Sequence, residues 1–137
     1  MREKELQELC TRQLARARQL LASIPVLISV EDYYSAVNRA YYAAFHAIKA
    51  IEALDNYDSK KHSGLLSNFR SRYIKTGIFD VKYSQIITGL AQYRQDSDYN
   101  ILVQIHLEEA QEQYRNAVDF VGAIEAYLAS QIDGGAV

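Results

Sequence analysis

An all-α fold, an antiparallel bundle of four to five helices, is predicted by three features of the sequence. Its 137 residues include six glycines and one proline, so the backbone has few natural breaks. Apolar side chains recur at intervals of three and four almost throughout, which is helical rather than strand spacing. The segments between periodic stretches are short, as expected for amphipathic helices that pack on sequential neighbours.

The first helix is predicted over 3–22. It gathers Leu6, Leu9, Cys10, Leu14, Ala17, Leu20 and Leu21 on one side, and Pro25 then forbids simple continuation. Ser29 reads as an N-cap with Asp32 in the following turn, so the second helix is placed from there to Leu54. Val30, Tyr33, Val37, Tyr41, Ala44, Ile48 and Ile51 give it a seam at heptad spacing, which makes this helix central to the core. The polar residues Asp55 to Ser59 read as a loop. A third helix over 60–75 presents Leu65, Leu66, Phe69 and Tyr73, and Thr76-Gly77 is its stop because glycine accepts the left-handed conformation. Asp80 is positioned to cap a fourth helix reaching Tyr93 or Arg94, with Val81, Ile86, Ile87 and Leu90 inward; the polar run Gln95 to Asn100 interrupts it. The fifth helix is placed over 102–131 on the spacing of Val103, Leu107, Ala110, Tyr114, Ala117, Val121, Ile124 and Leu128. Residues 1–132 then form a single domain and 133–137 a disordered tail.

Composition narrows the chemistry. The lone Cys10 permits no internal disulfide, and no Cys/His cluster has metal-ligand spacing, so neither a metal nor a cofactor is expected. No apolar stretch is long enough for a membrane span, and a cytoplasmic location is expected. Fifteen Lys and Arg against 17 Asp and Glu give a net charge of −2, which argues against a strongly basic nucleic-acid binder. The total hides an asymmetry: residues 55–94 carry +4 and residues 95–137 carry −7. That pattern fits either two solvated helix faces or a basic surface for phosphate set against an acidic surface for a basic partner.

Two clusters are candidates for a site. Asn38, Tyr42, His46 and Lys49 recur at four, four and three residues, with Arg39 adjacent, so they form a polar stripe on the second helix. The stripe either lines a groove or consists of core and interface aromatics with a boundary histidine. At the end of the fourth helix stands Arg94-Gln95-Asp96-Ser97-Asp98-Tyr99-Asn100, where Arg94 either pairs with Asp96 or Asp98 or takes a phosphate bidentately. No Ser/His/Asp triad, Cys/His pair or glycine-rich phosphate loop is visible, and His62 and His106 stand alone.

Several strings taken together resemble the HEPN-domain family of small helical proteins, often encoded beside minimal nucleotidyltransferases. They are Asp32 to Ala47 (DYYSAVNRAYYAAFHA), His62-Ser63-Gly64 with Phe69 and Lys75-Thr76-Gly77, and Arg94 followed by Asp98-Tyr99. The resemblance covers almost the whole chain and implies a helical bundle that forms a homodimer. It also implies a metal-independent RNase of the toxin–antitoxin type, with a nucleotidyltransferase as antitoxin-like partner. The family signature is an arginine, four residues beginning with a polar one, and a histidine, brought together at the dimer cleft. Arg94 matches the arginine and Gln95 the polar position, whereas Tyr99 occupies the histidine position. This departure matters because an imidazole exchanges protons near neutrality, while an ordinary phenol, with a pKa of about 10, is a poor base there. The catalytic residues implied are thus Arg94, Asp98 and Tyr99, with Arg94, Gln95, Arg39, Tyr42 and His46 on the RNA or phosphate. The alternative is a non-catalytic subunit that binds substrate for, or regulates, a minimal nucleotidyltransferase, with Tyr99 as a site of nucleotidyl transfer.

Overall fold

The computed structural model describes residues 3–55 and 62–135, and among them every regular element is a helix. In chain order these are α1 (Glu3–Ser29), α2 (Tyr33–Leu54), α3 (His62–Phe69), α4 (Lys82–Tyr99) and α5 (Leu107–Gly135), with α3 running on into a π-helical turn, Arg70–Ile74. The α2 helix touches α1, α3, α4 and α5. Its sequence explains this position. Ala36, Ala40, Ala43, Ala44, Ala47, Ala50 and Ala53 are all buried, letting neighbours approach closely, while Val37, Tyr41, Ile48 and Ile51 fill the spaces between them.

Pro25 does not end α1, which continues through it to Ser29. Proline removes the amide that would bond the Leu21 carbonyl and costs a helix interior about 3 kcal/mol. Here the residues on either side are held by tertiary burial: Ile24 is fully buried, and Leu27 and Ile28 pack against the core. Pro25 itself is exposed, so Pro25→Ala restores the bond without disturbing packing. We expect it to raise unfolding stability by about 1–3 kcal/mol in urea titration; an unchanged or lowered midpoint would contradict this account of the helix.

Ser29 is the last residue of α1, its hydroxyl donating to the Val26 carbonyl at 2.6 Å, and is not the cap of α2. The helix closes with Glu31 N–H on the Ile28 carbonyl and Asp32 N–H on the Leu27 carbonyl, both at 2.9 Å, around Glu31 at φ 61°. This is the Schellman arrangement, with a glutamate in the left-handed position glycine usually takes. Asp32 is the N-cap of α2, accepting from the Ser35 amide at 3.1 Å. Val30 therefore sits in the turn, 67% exposed and outside the seam.

Leu65, Phe69 and Tyr73 are buried as the spacing predicts, although the Lys75 amide bonds the Arg70 carbonyl five residues back, the widened turn of a π-helix. Gly77 at φ 81° ends this segment. The predicted loop beyond Asp55 and the helix start at Lys60 lie outside the described residues. Asp80 Oδ1 accepts from the Lys82 amide, at 2.9 Å, but the residue at the capping position of α4 is Val81, which is exposed rather than inward, and Ile87 and Leu90 are the fully buried residues of α4.

The polar run after Arg94 does not break α4. Gln92 bonds Asp96 at 3.1 Å and Arg94 pairs with Asp98 at 3.1 Å, so charge and amide pairs one turn apart carry this polar last part of the helix, in which neither glycine nor proline follows Arg94. The helix stops at Asn100, and α5 begins at Leu107 rather than Leu102. Leu102 is 88% exposed in the connection, which is held to the core by buried Ile105 and half-buried Val103; α5 then runs past Gln131 to Gly135.

The many tyrosines act as bundle-edge struts. Tyr83 donates to Asp119 at 2.9 Å, Tyr93 to Glu109 at 2.8 Å, Tyr34 to the Val103 carbonyl at 2.5 Å, and Tyr73 to Asp55. Each ring packs inward while its hydroxyl finds an acceptor at the margin. The Glu109 partner pushes the Tyr93 phenol up to about 12.

Candidate functional site

Packing of α4 on α2 sets Arg94 against the tyrosine pair of α2. Arg94 Nη2 donates to the Tyr42 hydroxyl at 3.0 Å, and its Nε lies 3.1 Å from Asp98 Oδ2. That Nε contact is an ion pair without hydrogen-bond alignment, so the buried Nε–H has no hydrogen-bond acceptor. The guanidinium carbon is 5.7 Å from the Tyr41 ring centroid, 5.6 Å from that of Tyr42 and 5.8 Å from that of Tyr99. An arginine framed by three aromatic rings is held electrostatically as well as sterically. Burial works against its charge, but the Tyr42 hydroxyl and the Asp98 carboxylate outweigh it, and its pKa is raised. Burial also pushes Tyr41 up to about 12, against the pull of Arg94, so it stays a neutral phenol.

Asp98 connects this cluster to the polar stripe of α2. Its Oδ1 accepts from Asn38 Nδ2 at 2.9 Å, and Asn38 Oδ1 in turn accepts from Arg39 Nη1 at 2.7 Å. Asp96 faces Gln92 instead, so the two aspartates of the run serve different partners. A cleft of about 230 Å³ opens between α2 and α4, lined by Tyr34, Ser35, Asn38, Arg39, Ser97 and Asp98. A second, of about 240 Å³, opens between α1 and α2, lined by Arg16, Leu20, Asn38, Arg39, Tyr42 and His46. The two share Asn38 and Arg39.

His46 lies at the far end of the second cleft, its Nδ1 2.7 Å from Gln13 Oε1 of α1. Burial, then Arg16 and Lys49, lower its pKa, which favours the neutral ring at pH 7. Among the sequence-predicted site residues, the structure brings Arg94, Asp98, Tyr42 and Tyr99 into one cluster, joins Arg39 to it through Asn38, and sets His46 in the adjoining cleft. Gln95 is exposed on α4 and lines neither cleft. Tyr99 is 75% exposed at the last turn of α4.

The basic third quarter of the chain is not what surrounds the clefts. Arg70 is engaged with Ser84 and Thr88, Arg72 with Asp55 and Lys82 with Asp119, while Lys60 and Lys61 lie outside the described residues. The arginines that line the clefts are Arg16 of α1 and Arg39 of α2; of the basic region, Arg94 stands next to them through its contacts with Asp98 and Tyr42. Tyr34 and Ser35 stand one turn before Asn38, a spacing that places them beside the stripe. Arg16 and Gln13 of α1 carry no local signal; only the α1–α2 hairpin brings them there.

Comparison with known proteins is consistent along the chain. The sequence model of the HEPN domain matches residues 11–129. A Thermotoga maritima relative named "UPF0332 protein" is 33% identical over 82% of this chain and 86% of its own length. A Methanocaldococcus jannaschii relative named "Putative toxin MJ0142" is 33% identical over 94% of this chain and 85% of its own length. A second protein of that organism, "Putative toxin MJ0605", is 32% identical over 70% of this chain and 72% of its own.

Proposed function

The chain belongs to the HEPN domain family, and from that premise we propose that it is the RNase-like toxin of a HEPN/nucleotidyltransferase toxin–antitoxin pair. The observation that carries the reading is Arg94: a guanidinium fixed by Tyr42, Asp98 and three rings, next to a cleft that its partner Asp98 lines together with Arg39. A planar fork held in this way suits a phosphodiester, with Arg39, Tyr42 and His46 along the strand. The relatives named as toxins support the toxin role.

In the reaction, Asp98 takes the proton of a ribose 2′-hydroxyl as its oxygen bonds to phosphorus. The bond from phosphorus to the 5′-oxygen breaks, and Tyr99 gives that oxygen a proton. The products are a 2′,3′-cyclic phosphate and a 5′-hydroxyl. Two copies complete the cleft. Tyr99, Ile101 and Leu102 are 75%, 89% and 88% exposed at the end of α4 and just after it, an apolar edge that favours a homodimer. A minimal nucleotidyltransferase is the antitoxin-like partner, and the pair works in the cytoplasm, where the RNA is. The test is incubation of the purified protein with RNA in EDTA: strands ending in cyclic phosphate are expected, and absence of both cleavage and binding overturns the reading.

One observation favours a second reading, a binding or regulatory subunit of the transferase. Asp98 is already engaged by Arg94 and Asn38, while Tyr99 stands open to solvent at the position of the family histidine. On this reading RNA is not cleaved, and mass spectrometry after co-expression with the transferase finds a nucleotide added to Tyr99.

A further inference from the structure

We infer that the cleft between α1 and α2 is a second anion subsite, which takes the phosphate neighbouring the one at Arg94 in a bound RNA strand and uses Arg16 and Arg39 as its cations. The class of ligand rests on the phosphate reading of Arg94; the geometry of the subsite does not.

Three features carry the inference. Among the described residues, the cleft is lined by two guanidiniums, an amide, a phenol and an imidazole, with Leu20 as its apolar member and no carboxylate. That donor set favours an anion over a cation or a neutral ligand. Each arginine is positioned by a neutral amide: Arg16 Nη1 donates to Gln19 Oε1 at 2.9 Å and Arg39 Nη1 to Asn38 Oδ1 at 2.7 Å. Amides orient the forks without cancelling their charge, unlike the carboxylates that hold Arg72 and Lys82 elsewhere. Finally, the two clefts adjoin. They share Arg39 and Asn38, and Tyr42 stands between them, accepting from Arg94 while also lining the second cleft. A strand passing from Arg94 to Arg39 to Arg16 meets a cation at every step and crosses the exposed side of Tyr42, where a base or ribose packs.

His46 reports on occupancy. It faces Gln13 and Arg16 of α1 and lies beside Tyr42, Phe45 and Lys49 of α2, with Lys49 3.8 Å from Glu52. Gln13 Oε1 as acceptor places the neutral ring's proton on Nδ1, so Nε2 takes up the second proton. An anion beside Arg16 offsets the positive field that disfavours this step, and binding is accompanied by proton uptake.

The test is NMR titration of the His46 imidazole in the intact protein, alone, with inorganic phosphate, and with a short single-stranded RNA. The expected result is an upward move of the titration midpoint with either ligand. In Arg16→Gln that ligand-induced move is lost, and RNA binds about 5- to 10-fold more weakly. Lys4→Gln, which removes an exposed α1 charge away from the cleft, binds as the parent does. If RNA binding depends on Arg94 but is unchanged in Arg16→Gln and His46 does not respond, the subsite is overturned and the Arg94 reading stands. If RNA does not bind but phosphate moves His46 in an Arg16-dependent way, the anion subsite stands and the RNA reading falls. Equal weakening in the Lys4 and Arg16 variants means general charge attraction and overturns the subsite. Arg16 is exposed, so the variants are expected to fold, and circular dichroism melting verifies this.

Discussion

Arg94→Ala is expected to lower RNA cleavage by at least about 100-fold while the chain remains folded. The factor follows from the role: a preorganised donor aimed at charge developing on phosphorus is worth 10²–10³ in rate, and arginines on transferring phosphoryl groups reach more. The structural cost is small by comparison. Asp98 keeps Asn38 as a donor, and the Tyr41 and Tyr42 rings still pack on each other at 5.1 Å. Arg94→Lys separates charge from shape, because an ammonium keeps the positive field but cannot present a planar fork. It is expected to bind RNA near the parent affinity and cleave at least about 10-fold more slowly. Single-turnover rates in EDTA, with thermal melts alongside, are the measurement. Parent-like cleavage by Arg94→Ala would remove Arg94 from the mechanism.

Ile101→Asp combined with Leu102→Asp is expected to convert a dimer to monomers without loss of monomer stability. Both side chains are almost fully exposed in the single chain, so aspartate is tolerated there. At a two-fold interface the pair contributes four side chains, each worth roughly 1.5–3 kcal/mol when buried. Losing even ~4 kcal/mol net raises the dissociation constant about 1,000-fold. Light scattering at micromolar concentration checks this. A parent that is already monomeric, or a double variant that stays dimeric, excludes this edge as the interface. If the cleft is shared between copies, RNA cleavage falls together with the dimer.

The particular errors of sequence reading have physical causes. Pro25 reads as a stop because the cost of proline is local, whereas the burial of Ile24, Leu27 and Ile28 that offsets it is tertiary. Ser29 and Asp32 are both good caps, and only the Schellman closure on Leu27 and Ile28 decides between them. The run after Arg94 looked like a loop because it is polar; it is a helix because its polar groups pair one turn apart. Leu102 looked helical because it is apolar, yet it lies in an exposed connection.

What the sequence determined by itself is local and periodic. The helical class, the central place of α2, the stop at Gly77 and the alignment of Asn38, Tyr42 and His46 on one face all follow from spacing and from residue-intrinsic preferences. The strings around Tyr41 and Arg94 suffice for the family. Only the tertiary structure decided which charges meet. Charge counted along the chain pointed to residues 55–94, but several of those cations are occupied by acceptors on neighbouring elements. The clefts take Arg16 and Arg39 from α1 and α2, and Arg94 of α4 meets them through Tyr42 and Asp98, the three being separated in sequence by 23 and 55 residues. No local pattern encodes that convergence, because the distance between side chains on different helices depends on how closely the backbones approach, and the alanines of α2 set that approach.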